Sequence, residues 1–122
     1  MVKPKSLKSA DIAHVLKSGR RYKSRSLLVF VKRIDAGEQG KIAFIAPKRL
    51  GLAVLRNRCK RLMRAGFAQA RSTPVITICD YYDIILMATE RTHRINSVQI
   101  AEDLAKTFAK IARDEQKYQE TN

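Results

Sequence analysis

The chain has 122 residues and carries 25 Lys and Arg side chains against 11 Asp and Glu, which gives a formal net charge of +14. This length corresponds to one domain that can bury a core without a disulfide or metal staple. The excess positive charge indicates a polyanionic partner, nucleic acid or an anionic membrane. A membrane is disfavoured because no apolar run approaches the ~20 residues of a span.

The start of the sequence and the two cysteines indicate a cytoplasmic protein. The basic start lacks the apolar core of a secretory signal, and Cys59 and Cys79 are far from C-x-x-C spacing, so no disulfide or protein-bound metal site is predicted. Residues 1–8 are expected to form a mobile basic tail and residues 114–122 a frayed one, flanking a single domain that spans residues 1–122.

The first predicted element is a short helix. Ile12, Val15 and Leu16 share its apolar face, while Ser9 would cap its start and Gly19 would end it. A basic connection follows, and its cations are candidates for accessory phosphate contacts: Arg20, Arg21, Lys23 and Arg25.

Strand composition appears in three further segments. Residues 26–33 and 41–46 are rich in β-forming side chains and flank a Gly-containing turn, so they are predicted to pair as antiparallel neighbours. Residues 83–88 form a continuous apolar run, typical of a strand buried on both faces. Residues 75–79 fit either a strand or an extended connector.

The most basic stretch lies between these strands, since residues 48–64 carry seven cationic side chains and no acidic one. Apolar residues recur at steps of three and four from Leu55 to Ala70, so a helix from near Ala53 to about Ala70 is predicted to pack one face on the core. Gly66 is expected to weaken its last turns. The neighbouring arc carries Arg56, Asn57, Lys60, Arg61 and Arg64, with Arg58 on the opposite flank.

The charge on this helix has no internal balance. Arg56, Lys60 and Arg64 are spaced four residues apart and repel one another, and no acidic residue occurs from Gln39 to Cys79. An external polyanion is the simplest counter-charge. The alternative, a basic face that is only solvated, is therefore disfavoured.

A final helix is predicted after a cap at Asn96 or Ser97, with an apolar stripe at Ile100, Leu104, Phe108 and Ile111. Together the elements predict an α+β domain with a mostly antiparallel central sheet and helices packed on it, in the order α-β-β-(β)-α-β-α.

The basic helix closely resembles the signature of the bacterial ribonuclease P protein subunit, through the run Gly51-x-Ala53-Val54-x-Arg56-Asn57-Arg58-x-Lys60-Arg61-x-x-Arg64. In outline the resemblance covers residues 6–112. It implies an α/β sandwich with an unusual left-handed crossover through the basic helix. It also implies that the protein assists a catalytic RNA in removing the 5′ leader of precursor tRNA, with Mg²⁺ held mainly by the RNA.

The resemblance also assigns residues. The RNA subunit would be contacted by Arg56, Asn57, Arg58, Lys60, Arg61 and Arg64. The leader would lie in a cleft between the first helix and the sheet, formed by Ile12, Leu16, Phe30, Lys48 and Arg49. Three features depart from the family pattern: Ile12 and Leu16 replace aromatics, Pro47 replaces a small hydroxyl residue, and Leu52 and Ala65 stand where polar residues are common.

Two other functions are weighed. A non-enzymatic RNA-binding module of the ribosomal or chaperone type would use the same basic patch. A nuclease active alone would need an acid and a base close together, whereas His14 and His93 are predicted on a short helix and in a polar loop. No catalytic side chain and no protein partner are predicted.

Overall fold

The computed structural model describes residues 5–35, 37–71 and 80–121, with side chains as far as residue 115. Five strands and three helices follow in the order β1 (Lys5–Ser6), α1 (Ser9–Ser18), β2 (Arg20–Lys23), β3 (Leu27–Arg33), β4 (Lys41–Ile45), α2 (Ala53–Ala70), β5 (Tyr82–Ala88) and α3 (Ser97–Thr121). Short 3-10 helices at Lys48–Leu50 and Thr92–Arg94 precede α2 and α3. The predicted α+β class is confirmed.

One mixed sheet runs through the molecule in the strand order β1-β4-β5-β3-β2. Its longest pairing, β3 with β5, is antiparallel, as is β2 with β3, whereas β5 with β4 and β4 with β1 are parallel. The predicted pairing of β3 with β4 is wrong because β5 lies between them. Ile84, Ile85 and Leu86 are buried on both faces of β5, so this strand needs the central position.

Parallel neighbours β4 and β5 are joined by a crossover that includes α2. The left-handed sense of this crossover stays a prediction. Residues 75–79, which fit a strand or a connector, lie outside the described residues.

Two expectations about the N-terminal part are wrong. Residues 20–23 form strand β2, in which only Tyr22 points into the core while the other three side chains are exposed. One apolar residue among three cations gives too weak an alternation to be recognised. Lys5–Ser6 pair with β4 and Leu7 is buried, so the ordered chain begins before residue 8.

Helix ends show how local chemistry fixes the elements. Ser9 does not cap α1, because the cap position is Lys8 and no side chain bonds there. Gly19 does end α1 and has an extended backbone conformation. Glycine is needed at this position because a Cβ would lie 2.6 Å from the Val15 carbonyl oxygen. Asn96 caps α3: its Oδ1 accepts from the Gln99 N–H at 2.9 Å, while Gln99 Oε1 accepts from the Asn96 N–H.

The two faces of the sheet carry different helices. α1 packs on one face, where Val15 and Ile85 form a small core with Leu7. The larger core on the opposite face joins α2 and α3 to the sheet. Its helical contributors are Cys59, Met63, Phe67, Ala70, Ile100, Leu104, Phe108 and Ile111. The predicted stripes of both helices are confirmed.

Candidate nucleic-acid interface

Helix α2 presents the predicted basic arc to solvent. Its buried stripe sets the rotation of the helix about its axis, and the arc follows from that rotation. Asn57, Arg58, Arg61 and Arg64 are exposed, while Arg56 and Lys60 are half-buried. The structure therefore brings five of the six predicted residues to one flank and leaves Arg58 on the other.

Two arginines of the arc are oriented by β4 and by the residue that follows it. Arg56 Nε donates to the carbonyl oxygen of Ala46 at 3.2 Å. The Arg64 guanidinium carbon lies 5.6 Å from the ring centroid of Phe44, which meets Phe67 edge-on at 6.0 Å. Such contacts restrict long side chains before a ligand arrives, so less conformational entropy is lost on binding.

No carboxylate of the described part of the chain neutralises the cations of α2. The ion pairs found there join Arg33 to Glu115 and Lys41 to Asp11, and neither includes a residue of α2. The helix therefore keeps its full positive charge at the surface, in the arrangement that a polyanion neutralises.

Cys59 has a packing role and does not supply a thiolate. It is fully buried on the apolar stripe of α2, and burial raises the pKa of its thiol although the Arg58 charge opposes this. Cys79 lies outside the described residues.

The predicted leader cleft lies on the α1 face of the sheet. Ile12, Leu16 and Phe30 pack together around Val15 and Ile85 and remain half-buried. Ala43 and Ile45 of β4 extend this apolar floor. They were not predicted, although alternate residues of a strand lie on the same face of a sheet and this rule could have identified them. The exposed cations Lys48 and Arg49 belong to the 3-10 helix that follows β4.

The accessory cations are divided between the two faces of the sheet. Arg21 is in register with Phe30, and Lys23 with Leu28, so both border the apolar floor. Arg20 points to the opposite face, where its Nη2 donates to the Tyr82 hydroxyl at 3.4 Å. Arg25 follows in the bend before β3, where it lines pockets with Arg91. Arg91 was not predicted because it follows β5, in the part of the sequence after Pro74 where acidic residues outnumber basic ones.

The two histidines are far apart. The Lys32 ammonium contacts Nε2 of His14, and Lys32 is in register with Asp83 at the start of β5. His93 lies beyond the other end of that strand, which is about 20 Å long at the usual rise per residue. These side chains cannot share one phosphate as acid and base.

Within the described ranges, His, Cys, Asp and Glu side chains form no group of three that could hold a metal ion. In the same ranges, none of the helices combines the length and the apolar character of a membrane span.

Comparisons with known proteins point to one family. A Ribonuclease P family model matches residues 2–112. A ribonuclease P protein component from Desulforapulum autotrophicum is 29% identical over 109 residues, 89% of each chain. One from Pseudarthrobacter chlorophenolicus is 42% identical over 64 residues, which are 52% of this chain and 47% of that protein, so this match spans about half of the relative.

The solved RNase P protein of Staphylococcus aureus is 27% identical and superposes with a TM-score of 0.67, over 91% of this chain and 96% of that one. Because the family model, the curated relatives and the fold agree over most of the sequence, the chain belongs to the ribonuclease P protein family.

Proposed function

We propose that this chain is the protein subunit of ribonuclease P, an RNA-processing ribonuclease that works with an RNA subunit on precursor tRNA. In this role it assists the Mg²⁺-dependent removal of the 5′ leader, in the cytoplasm. The observation that carries the proposal is the arc of α2, whose cations are exposed or half-buried and have no carboxylate partner among the described residues.

Binding of the RNA subunit is assigned to α2. Arg58 and Arg61 are exposed, while Arg56 and Arg64 are oriented by contacts with Ala46 and Phe44. A guanidinium can grip two phosphate oxygens at once, which suits arginine to a structured RNA backbone. Asn57 and Lys60 add a neutral donor and a further charge on the same flank.

The leader is assigned to the apolar floor beside α1. Phe30 offers a ring on which a base can stack, whereas Ile12 and Leu16 offer only aliphatic surface. Stacking on an aromatic side chain contributes about 1–3 kcal/mol per base, so this cleft is expected to hold the leader less tightly than one lined by three rings. Lys48 and Arg49 would contact its phosphates.

The metal ion of the reaction is expected on the RNA and not on this chain. The candidate surface is cationic, and the described residues offer no cluster of metal-binding side chains. Mg²⁺ would be held mainly by oxygens of the RNA partner, and there it would supply the activation of water and the stabilisation of the leaving oxygen. The contribution of this chain is affinity and placement, and no proton or metal step is assigned to its side chains.

One assay separates this function from its alternatives. Precursor tRNA is incubated at low Mg²⁺ with the protein alone, with the catalytic RNA alone, and with both. We expect efficient cleavage only in the mixture. Cleavage by the protein alone would identify an independent nuclease, and a mixture no faster than the RNA alone would favour an RNA-binding module of another kind.

A further inference from the structure

Three connections meet at one end of the sheet and enclose a pocket. Because β4 and β5 are parallel and β3 is antiparallel to β5, the ends of β4 and β5 lie beside the start of β3. The bend between β2 and β3, the 3-10 helix after β4 and the segment after β5 surround a volume of about 400 Å³.

Positive charge dominates the pocket. Its lining residues are Lys23, Ser24, Arg25, Leu28, Arg49, Leu50, Thr89, Glu90 and Arg91. The four cations come from three separate segments of the chain, and the ion pairs found in the described residues include none of them. Glu90 is the one carboxylate in the lining, so the pocket keeps a positive balance and suits an anion.

Ser24 is the unusual member of this lining. It is only 9% exposed, and its hydroxyl is buried without a hydrogen-bond partner. Buried polar groups in proteins are nearly always paired, so an unpaired one calls for a specific explanation. A serine side chain can rotate about χ1 among three staggered positions. The Ser24 hydroxyl can therefore turn to donate a hydrogen bond to an anion held in the pocket.

The hydroxyls of Ser26, Thr89 and Thr92 are engaged in hydrogen bonds. The Ser26 carbonyl oxygen accepts from Thr92 Oγ1 at 2.6 Å and from Thr89 Oγ1 at 3.3 Å, while Ser26 Oγ donates to Asp103 at 2.7 Å. These bonds fix the bend between β2 and β3 against the segment after β5. The unpaired hydroxyl therefore belongs to a rigid bend, as expected for a preformed binding site.

We propose that this pocket binds one phosphodiester group of RNA, with Ser24 donating to a phosphate oxygen and Arg25, Arg49 and Arg91 balancing its charge. The site rests on the proposed function for its RNA partner. Either the leader or the RNA subunit can supply the phosphate, because both present the same chemical group.

The first test replaces Ser24 by Ala, with Ser9→Ala as the matched control, since Ser9 is exposed on α1. Affinity is measured for the catalytic RNA, and then, with the assembled holoenzyme, for precursor tRNA carrying a full leader or one shortened to a single nucleotide. Ser24→Ala should weaken one of these affinities about tenfold, as loss of a hydrogen bond to a charged group does. Weaker binding of the catalytic RNA assigns the phosphate to that subunit. A loss confined to the full leader assigns it to the leader.

Two further readouts separate a ligand contact from a structural one. Ser24→Ala should leave the Tm of the free protein unchanged or higher, because an unpaired hydroxyl is removed, and should leave the salt dependence of binding unchanged. Arg91→Gln should make the slope of log affinity against log salt about 0.7–0.9 shallower, whereas Arg113→Gln on α3 should not.

The proposal is overturned if Ser24→Ala matches Ser9→Ala in every affinity, or if it lowers the Tm as the loss of a structural hydrogen bond would. A parallel measurement on Arg58→Gln/Arg61→Gln keeps the two ideas distinguishable. Loss of RNA binding there, with none in Ser24→Ala, would leave the proposed function standing without this pocket.

Discussion

Two tyrosines connect the sheet to the far part of α3. The Tyr22 hydroxyl donates to Asp114 Oδ2 at 2.7 Å, and the Tyr82 hydroxyl donates to Glu115, which also pairs with Arg33. Asp114 and Glu115 are thus held against the sheet, within a helix that extends to Thr121. The frayed tail expected from about residue 114 stays a prediction. Contacts between Tyr22 and a carboxylate 92 positions away leave no trace in local sequence pattern.

Tyr22 also gives the stability of the protein a specific pH dependence. Burial, followed by the hydrogen bond to Asp114, raises the pKa of Tyr22 from 10.0 to about 12. The folded state thus keeps a proton that the unfolded chain releases, so this stabilisation is complete below pH 10 and is lost as the pH rises towards 12.

The Tyr22→Phe variant tests this effect. It should be less stable than the parent by about 1–2 kcal/mol near neutral pH, because the bond to a charged acceptor is lost. Its stability should also fall less steeply above pH 10. Urea titrations of both proteins across this range measure the difference, and Tyr82, present in both, serves as the internal reference. Parallel curves would contradict the assignment.

At the scale of elements, the contact between α2 and α3 depends on Gly66. A Cβ at this position would lie 2.4 Å from Cγ2 of Ile100 and 2.8 Å from its Cβ. The expectation that Gly66 only weakens α2 is therefore incomplete, because the missing side chain lets the two helices approach closely.

Replacing Gly66 by Ala consequently sets two effects against each other. Helix propensity favours Ala by about 1 kcal/mol, whereas overpacking a core costs about 1–3 kcal/mol. We expect a net loss of stability in denaturant titrations because Ile100 is fully buried and has little room to move.

A double-mutant cycle with Ile100→Ala provides the control. Ile100→Ala is destabilising by itself, but it removes Cγ2, the nearest atom that the new methyl group would meet, and leaves only the contact with Cβ at 2.8 Å. The cost of Gly66→Ala should therefore shrink or change sign in that background. Equal costs in both backgrounds would show that the close approach is not the cause.

The elements differ in how far sequence predicted them. Helix α2 was predicted with its observed bounds, and α3 with its cap and stripe, because helical periodicity is a local signal. Strand pairing is not local. Residues 27–33 and 41–45 are consecutive strands, yet each pairs with β5, whose place follows only from its burial on both faces.

At the scale of the whole molecule, charge in sequence and charge in space differ. Up to Pro74 the charge balance is +16 and beyond it −2, which predicts that the anion-binding surface lies in the first three fifths of the chain. Folding nevertheless brings Arg91 beside Arg25 and Arg49. The arc of α2 was predictable because one helix carries it, whereas the pocket at the end of the sheet combines three segments.

The positioning role proposed for α2 predicts that the effect of a substitution depends on the Mg²⁺ concentration. In the assembled holoenzyme, Arg61→Ala should reduce cleavage of precursor tRNA more at low Mg²⁺ than at high Mg²⁺, because added metal ions screen RNA phosphates in place of the lost charge. Cleavage rates across a Mg²⁺ series measure this. An equal loss at both ends of the series would contradict a positioning role.

The central claim is that α2 packs on the sheet by one face and binds the catalytic RNA by the other. Its most direct test is the affinity of the RNA for Arg58→Gln/Arg61→Gln, compared with the charge-matched control Lys110→Gln/Arg113→Gln on α3, across a salt series.

About six phosphate contacts should give the parent protein a log–log slope of roughly −4 to −5. The α2 variant, with its thermal stability unchanged, should bind at least about tenfold more weakly, with a slope shallower by about 1.4–1.8. The control should match the parent. A folded α2 variant that binds the RNA as tightly as the control would contradict the claim.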